Sequence, residues 1–547
     1  MGLRGSLIEV TDTETAASDH PAGVWRAAQI TLLCGCFLWI PYVVPGLEEL
    51  QVVGPDDGWP LTDLLTATPR QGGAGLAGAL RQNTELRQED DDALLEAAPL
   101  PPPIALSPQT PAPTPEPDGQ PSEPTAGGPA TPIVPPPARV DQAEFEGLTR
   151  EIEDPSGSMR GFYARLGRVS RGHAVLARMG VYGTSTNGAD RMTSQLRRLL
   201  QQRFGDGGKG WVPVAPGWRY QRHQDVEWSS EHWRTYVVNR GDAPLDRYGY
   251  GGVLATNRHR GAVSTLGTVD DGPGSSVSHF RLYYQAWPDG GQVRLRVDQS
   301  TPQLLSTHAD AVEDRVHTID VSDGSHELSI GAVGEEGENT EGNLRLYGVA
   351  MERDGPGVVV DGLSLIGAFT RVLRLFDREH LATQVRARDP NLLVFWMGAN
   401  DAVSQSVAFV EERYTRHYRG ILRRYRQANP AMSCMVMSVL DKGERVNGRI
   451  RTRPRVPRLV EVQRAVALAE GCAFFDTFEA MGGEGTMDRW YRNRPRLVTD
   501  DLGHLTASGS RIMGTLVYRA LLKGYDDWIA AGAPAPRAGG SAAPVAP

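Results

Sequence analysis

Ser185, Asp501 and His504 are the residues whose types and settings could do covalent chemistry. Ser185 lies in Val181-Tyr182-Gly183-Thr184-Ser185-Thr186-Asn187-Gly188-Ala189-Asp190. There an apolar run, Ala177 to Tyr182, stops at a Gly, three hydroxyl residues, Asn187 and a second Gly. A serine hydroxyl is a weak nucleophile and needs a base within hydrogen-bond reach, itself oriented by a third group. His504 is the candidate base. Asp501, three residues earlier, can face it across a turn entering a helix and hold one imidazole tautomer. The adjacent Asp500 fits that spacing less well.

These groups must be lifted to one edge of a sheet. After Ser185, Met192, Leu196, Leu199, Leu200 and Phe204 recur with helical spacing. Strand, tight turn and helix bring backbone N–H groups together at a helix N-terminus. The pattern then changes: residues 209–355 alternate aromatic and β-branched residues between Gly and Asp, as in "HFRLYYQAWPDGGQVRLRVDQS". Short strands at this spacing predict a β-sandwich or jelly roll, with "PDGGQV" as a hairpin signal. From Val358 strands and helices alternate again: Asp361 to Phe369 reads as a turn containing Gly367-Ala368, followed by a helix to about Arg388. Then come strand Leu392–Met397, a helix from about Val407 to Gln427, strand Met432–Leu440, helix Pro457–Glu470, strand Cys472–Asp476 and a last helix, Ala507–Leu522. Alternation of this kind implies a parallel sheet covered on both faces.

A Ser on a strand–helix turn, a Gly398-Ala399-Asn400-Asp401 block after a later strand and Asp501-Leu502-Gly503-His504 near the end occur in that order. Together with "RRLLQQRFGDGG", "CAFFDTFEAMGG" and "DDLGHLTASG", they resemble the SGNH (GDSL-type) hydrolase superfamily over about residues 155–525. The resemblance is to extracytoplasmic members with an inserted β-rich module, such as peptidoglycan O-acetylesterases. It implies an α/β, flavodoxin-like parallel-sheet hydrolase domain (141–208 and 356–525) interrupted by a β-sandwich module (209–355). It also implies three donors for the oxyanion of ester hydrolysis: the backbone N–H of Ser185, that of a Gly, and Asn400. For the Gly there are two candidates. Gly367 precedes the helix and strand that lead to Asn400, as in the family; Gly252 in "GYGGVLAT" reads as a turn at the start of the module. Two departures stand out. Thr184 replaces the usual Asp of Gly-Asp-Ser, and Ile366 stands where Asn is common. The inserted module looks like a carbohydrate-binding one, and Trp233, Tyr283, Tyr284 and Trp287 are candidates to stack on sugar rings, although strand aromatics are more often core.

The chain has 547 residues and a formal charge of −9. This acidic balance argues against a nucleic-acid partner. His308, His317 and His326 lack metal-ligand spacing, and neither a metal nor another cofactor is expected. Four Cys are too few for a disulfide framework. Cys434 and Cys472 read by default as buried thiols in strands, or as a disulfide between neighbouring strands if the domain is exported.

Ala27 to Leu47 is nearly charge-free and long enough to span a bilayer. Acids on its far flank favour residues 1–26 inside and the rest outside. A cleaved signal, a lipoprotein site at Leu33-Cys34-Gly35-Cys36 and a buried core helix are the alternatives. Residues 48–140 read as an acidic and Pro-rich linker that cannot bury enough apolar surface to order itself. Its Pro99–Arg139 part could reach on the order of 100 Å as polyproline II. Residues 526–547 read as a tail. The expectation is therefore a membrane-anchored, extracytoplasmic serine esterase acting on O-acyl, foremost O-acetyl, groups of an acylated polysaccharide or peptidoglycan. An acetyltransferase using the same triad and a catalytically idle glycan-binding envelope protein stay open. Thr184 favours the idle protein, and the joint presence of Ser185, Asn400, Asp501 and His504 speaks against it.

Overall fold

The computed structural model describes residues 138–218, 221–334, 340–404 and 409–534. The expected anchor at 27–47, nearly all of the linker and the end of the tail lie outside them. Helix α1 (Arg160–Ser170), strand β1 (Leu176–Gly183) and helix α2 (Arg191–Phe204) open the fold. In β1 Met179 and Val181 face one core and Tyr182 the other, the alternation of a strand buried on both sides. Helix α2 buries Met192, Leu196, Leu200 and Phe204 and ends at Gly205.

The chain then leaves the α/β part for a module of antiparallel strands: β2 (Gly210–Pro213), β3 (Glu227–Glu231), β4 (Trp233–Val237), β5 (Val253–Asn257), β6 (Val263–Gly267) and β7 (Val277–Ala286). It continues with β8 (Gln292–Val297), β9 (Gln303–Ser306), β10 (Glu313–Gly324), β11 (Glu327–Val333) and β12 (Leu346–Glu352). One sheet runs β10-β7-β12-β5-β4, with β2 also on β12; the other runs β3-β6-β11-β8-β9. Phe280, Leu282 and Tyr284 of β7 face Leu295, Leu328 and Ile330 of the second sheet across the sandwich. Tyr283 and Trp211 point the opposite way, into the core of the α/β part. The module therefore docks by the outer face of its first sheet.

"PDGGQV" is not a hairpin: β7 and β8 belong to different sheets, and the segment crosses between them. Its glycines serve close approach. A Cβ on Gly290 would sit 2.0 Å from the Thr307 carbonyl oxygen, and one on Gly291 2.4 Å from the Asn343 amide. A local turn signal cannot tell that use from a two-residue loop.

Strand β13 (Gly357–Ser364) returns to the parallel sheet, followed by α3 (Arg378–Arg388), β14 (Leu392–Trp396), the short α4 (Ala399–Val403), α5 (Glu411–Ala428) and β15 (Ser433–Met437). A hairpin of β16 (Gly443–Val446) and β17 (Arg449–Thr452) precedes α6 (Arg455–Ala469) and β18 (Ala473–Phe475). Three helices, α7 (Thr477–Ala480), α8 (Thr486–Arg492) and α9 (Ala507–Ala530), complete the described chain. The order β13-β1-β14-β15-β18, all parallel, is the flavodoxin-like 2-1-3-4-5 arrangement of a doubly wound sheet. Helices α1, α2 and α9 share a core with one face, and α3, α5 and α6 with the other.

The last helix runs to Ala530, past the expected Leu522, because Tyr525 and Trp528 continue its buried stripe. Residues 526–530 are thus helix rather than tail. Cys434 of β15 and Cys472, the residue just before β18, form a disulfide with Cα atoms 4.8 Å apart, so the default reading as free thiols does not hold. Closing a loop of 38 residues restricts the unfolded chain by about 4 kcal/mol in the loop-entropy picture. Among the described residues, no helix is long and apolar enough to cross a membrane.

Candidate active site

Strand β1 ends at Gly183, and the chain turns at once into the 3-10 segment Ser185–Asp190. The turn is tight: a Cβ on Gly183 would lie 2.8 Å from that of Asn187. Leu365 N–H donates to Gly183 O (2.8 Å) and Ser364 Oγ to Asn187 O (2.7 Å), tying the turn to the end of β13. Ala189 and Asp190 both have left-handed φ, 59° and 57°, a strained pair for residues with side chains. A buried ion cluster holds them. Asp190 accepts from Arg197 (3.1 Å), Lys209 Nζ (3.1 Å) and the Gln224 N–H (3.2 Å), and Arg197 also reaches Asp225 (2.7 Å). Burial pushes the Asp190 carboxyl up, but Arg197 and Lys209 outweigh it and hold it well below the usual range. None of this cluster was singled out in the sequence; Lys209 and Asp225 lie 19 and 28 residues from their partners.

Ser185 Oγ lies 2.7 Å from His504 Nε2, although 319 residues separate them. His504 Nδ1 lies 2.5 Å from Asp501 Oδ2. With that carboxylate accepting, Nδ1 carries the proton and Nε2 is left to accept from the serine hydroxyl. Asp501 Oδ1 accepts from Thr499 Oγ1 (2.6 Å), Gly503 N (2.9 Å) and His504 N (3.1 Å). Partial burial pushes the Asp501 carboxyl up, and these bonds with the one to His504 more than reverse it. Beneath the turn, Lys442 is buried with its ammonium on the Gly503 carbonyl. Burial lowers its pKa to about 8 against the pull of Asp501 and Asp441.

Asn400 lies at the start of α4, just past β14. One of its amide hydrogens goes to Ala368 O at 2.8 Å, leaving the second as the one an oxyanion could take. Asp401 accepts from the N–H and hydroxyl of Thr370, both at 2.9 Å, and so ties this block to the Gly367 turn. Gly367 is exposed with φ +75°, and a Cβ there would meet nothing within 4 Å. Gly252 is buried against Leu365, and its N–H is spent on Gly249 O at 3.3 Å. Of the two candidates, only Gly367 presents its backbone to solvent beside Asn400. Thr184 is buried, and its hydroxyl has no hydrogen-bond partner among the described residues.

The aromatic candidates are elsewhere. Tyr283 (0 % exposed), Tyr284 (4 %) and Trp233 (9 %) are core residues and cannot stack on a sugar. Trp287 is half-buried, with Arg345 3.7 Å from its ring centroid and its indole N–H on Asn343 O. Alternation along β7 buries both of its faces and so removes Tyr283 and Tyr284 as stacking residues; Trp233 of β4 packs in the sandwich core, and Arg345 covers the Trp287 ring.

The hairpin β16–β17 was also missed. Its Asn447-Gly448 loop, with φ of 50° and 73°, is the Asn-Gly signal of a type I′ turn. It abuts the His504 turn, where Gly443 N–H donates to Leu502 O at 2.8 Å.

Residues 329–512 match the GDSL-like lipase/acylhydrolase family. That span contains Asn400, Asp501 and His504; Ser185 falls before it, on the far side of the inserted module. No curated protein matches the chain. Among solved structures, a peptidoglycan O-acetylesterase is 19 % identical, with 69 % of this chain and 99 % of that one covered and a TM-score of 0.57. An acetyl xylan esterase, and a catalytic mutant of another from Geobacillus stearothermophilus, are 16 % and 19 % identical over 30 % of this chain and 80 % and 73 % of theirs, with TM-scores of only 0.24. The match and the five-stranded sheet agree: the chain carries an SGNH (GDSL-type) acylhydrolase domain, that of an ester-hydrolysing enzyme.

Proposed function

We propose that the protein is a serine esterase that removes O-acyl groups, foremost O-acetyl, from a cell-envelope glycan through an acyl-enzyme on Ser185. The observation that carries this reading is the chain of contacts from Ser185 Oγ through His504 to Asp501. As Oγ attacks the ester carbon, its proton passes to His504 Nε2. The carbonyl oxygen becomes an oxyanion facing the Ser185 and Gly367 N–H groups and the Asn400 amide. His504 returns the proton to the departing sugar oxygen, leaving the acyl group on Ser185. Water then attacks in the same way, with His504 as base, and releases the carboxylic acid. The likeness to a peptidoglycan O-acetylesterase supports acetyl as the group and an envelope glycan as its carrier. Acetate release from O-acetylated glycan, lost in Ser185→Ala, tests it; acetyl found on an added glycan acceptor instead would sink the hydrolase in favour of a transferase.

The third donor gives a separate expectation. Asn400→Ala should lower kcat about 10²–10³-fold with KM little changed, because an oxyanion donor acts mainly in the transition state. Unchanged kcat in a folded variant would remove Asn400 from the site.

The proposal includes an extracytoplasmic catalytic domain, tethered by residues 27–47. The disulfide supports an oxidising compartment, and the uncharged run supports the tether. Protease added to spheroplasts should cut within 99–139; full protection of that segment in intact spheroplasts would refute this topology.

A further inference from the structure

The chain is acidic overall, yet residues 442–458 hold seven basic side chains and one carboxylate, Glu444, and residues 489–496 hold four Arg and no acid. The fold brings these segments together beside His504. The hairpin β16–β17 follows closely on β15 at the carboxyl edge of the sheet, and Gly443 is bonded to Leu502. Tyr491 carries Arg445 and Arg496 against its ring, at 5.2 and 4.4 Å from the centroid, and its hydroxyl donates to Asp500 (3.1 Å), the neighbour of Asp501. Within this rim Glu444 pairs with Arg453 (3.4 Å) and Asp500 with Arg496 (2.5 Å). Arg445, Arg449, Arg451 and Arg494 are exposed and have no carboxylate partner among the described residues. The Arg494 guanidinium meets only backbone carbonyls, those of Tyr491, Arg492 and Asn493.

Clustered like charges oppose folding, and a rim beside a cleft focuses the field there. Scattered surface Arg would need no explanation; these are concentrated at the catalytic turn of an acidic protein. We propose that this basic rim is the docking surface for a carboxylate-bearing glycan, which it holds with the ester presented to Ser185. The proposal rests on the esterase reading. A polyanion supplies the missing counter-charges at intervals along its length, whereas a neutral glycan offers these four guanidinium groups hydroxyl acceptors but no counter-charge.

The test uses the full chain and three probes: p-nitrophenyl acetate, O-acetylated alginate as the carboxylated glycan, and acetylated xylan as the neutral one. In Arg445→Gln/Arg449→Gln/Arg451→Gln, KM for the alginate should rise about tenfold or more, with kcat and the other two substrates within about twofold. The wild type alone gives a second measurement that does not depend on the variant folding. Raising NaCl from 0.05 to 0.5 M should weaken the alginate reaction by a similar factor through screening and leave p-nitrophenyl acetate unaffected. Equal loss on alginate and xylan, or no salt dependence, would overturn the rim as a polyanion site. So would binding to anionic phospholipid vesicles with no preference for alginate over xylan. Failure of the wild type on p-nitrophenyl acetate would instead strike the esterase reading itself.

Discussion

Ser185→Ala and His504→Ala should each lower kcat for p-nitrophenyl acetate by about 10⁴-fold or more, with secondary structure and melting temperature unchanged. The expectation follows from the 2.7 Å contact between Oγ and Nε2 and the 2.5 Å contact behind it. Without Nε2 the serine must lose its proton to water; without Oγ there is no acyl-enzyme. The double variant is more telling than either single one. Groups that act as one unit do not contribute additively, so Ser185→Ala/His504→Ala should be no slower than the worse single variant. Asp501→Asn should fall less far, because His504 would keep its place while losing the carboxylate that selects its tautomer. Full activity of Ser185→Ala, in a preparation free of other esterases, would discard the assignment and turn attention to Thr184 and Thr186. Both are buried, so neither is a ready substitute.

Ser185, Asn400, Asp501 and His504 were readable because each stands at a local boundary, where an apolar run ends or a helix begins. Periodicity and turn residues mark such boundaries within a dozen positions. Four strands of the sheet were readable for the same reason. The edge strand β13 was not: Gly367-Ala368 makes Asp361–Phe369 read as a turn, yet Asp361–Ser364 is strand, paired with Gly180–Gly183 of β1. What was missed depends on partners far away in the chain. Nothing near Asp190 announces Lys209, and nothing near Tyr283 says that the second face of its sheet is buried against α3 and Trp211. Gly290 and Gly291 were read as a hairpin because close approach to Thr307 and Asn343 leaves no local mark. Asn447-Gly448 is different: its turn signal is local and stands in the sequence between β15 and α6.

The largest stability effect is expected at Arg388, where the module meets the parallel sheet. Arg388 is fully buried at the end of α3. It donates to both carboxylate oxygens of Asp361 on β13 (2.8 and 2.9 Å) and to Glu352 on β12 (2.6 Å). Glu352 is also held by Arg178 of β1 (2.7 Å), and Asp361 accepts from the N–H of Trp211 on β2 (2.8 Å). Burial drives the Glu352 carboxyl up, but Arg388 and Arg178 overcome it and hold it well below the usual range. In Arg388→Met, Glu352 keeps Arg178 while Asp361 is left buried with a single backbone donor. Stranding a buried charge in this way costs about 3–5 kcal/mol, to be read from urea unfolding at neutral pH. Adding Asp361→Asn should recover part of the loss by removing the stranded charge. A cost below about 1 kcal/mol, or no recovery in the double variant, would mean that water or rearrangement neutralises Asp361 and that the ion network does not hold module and sheet together.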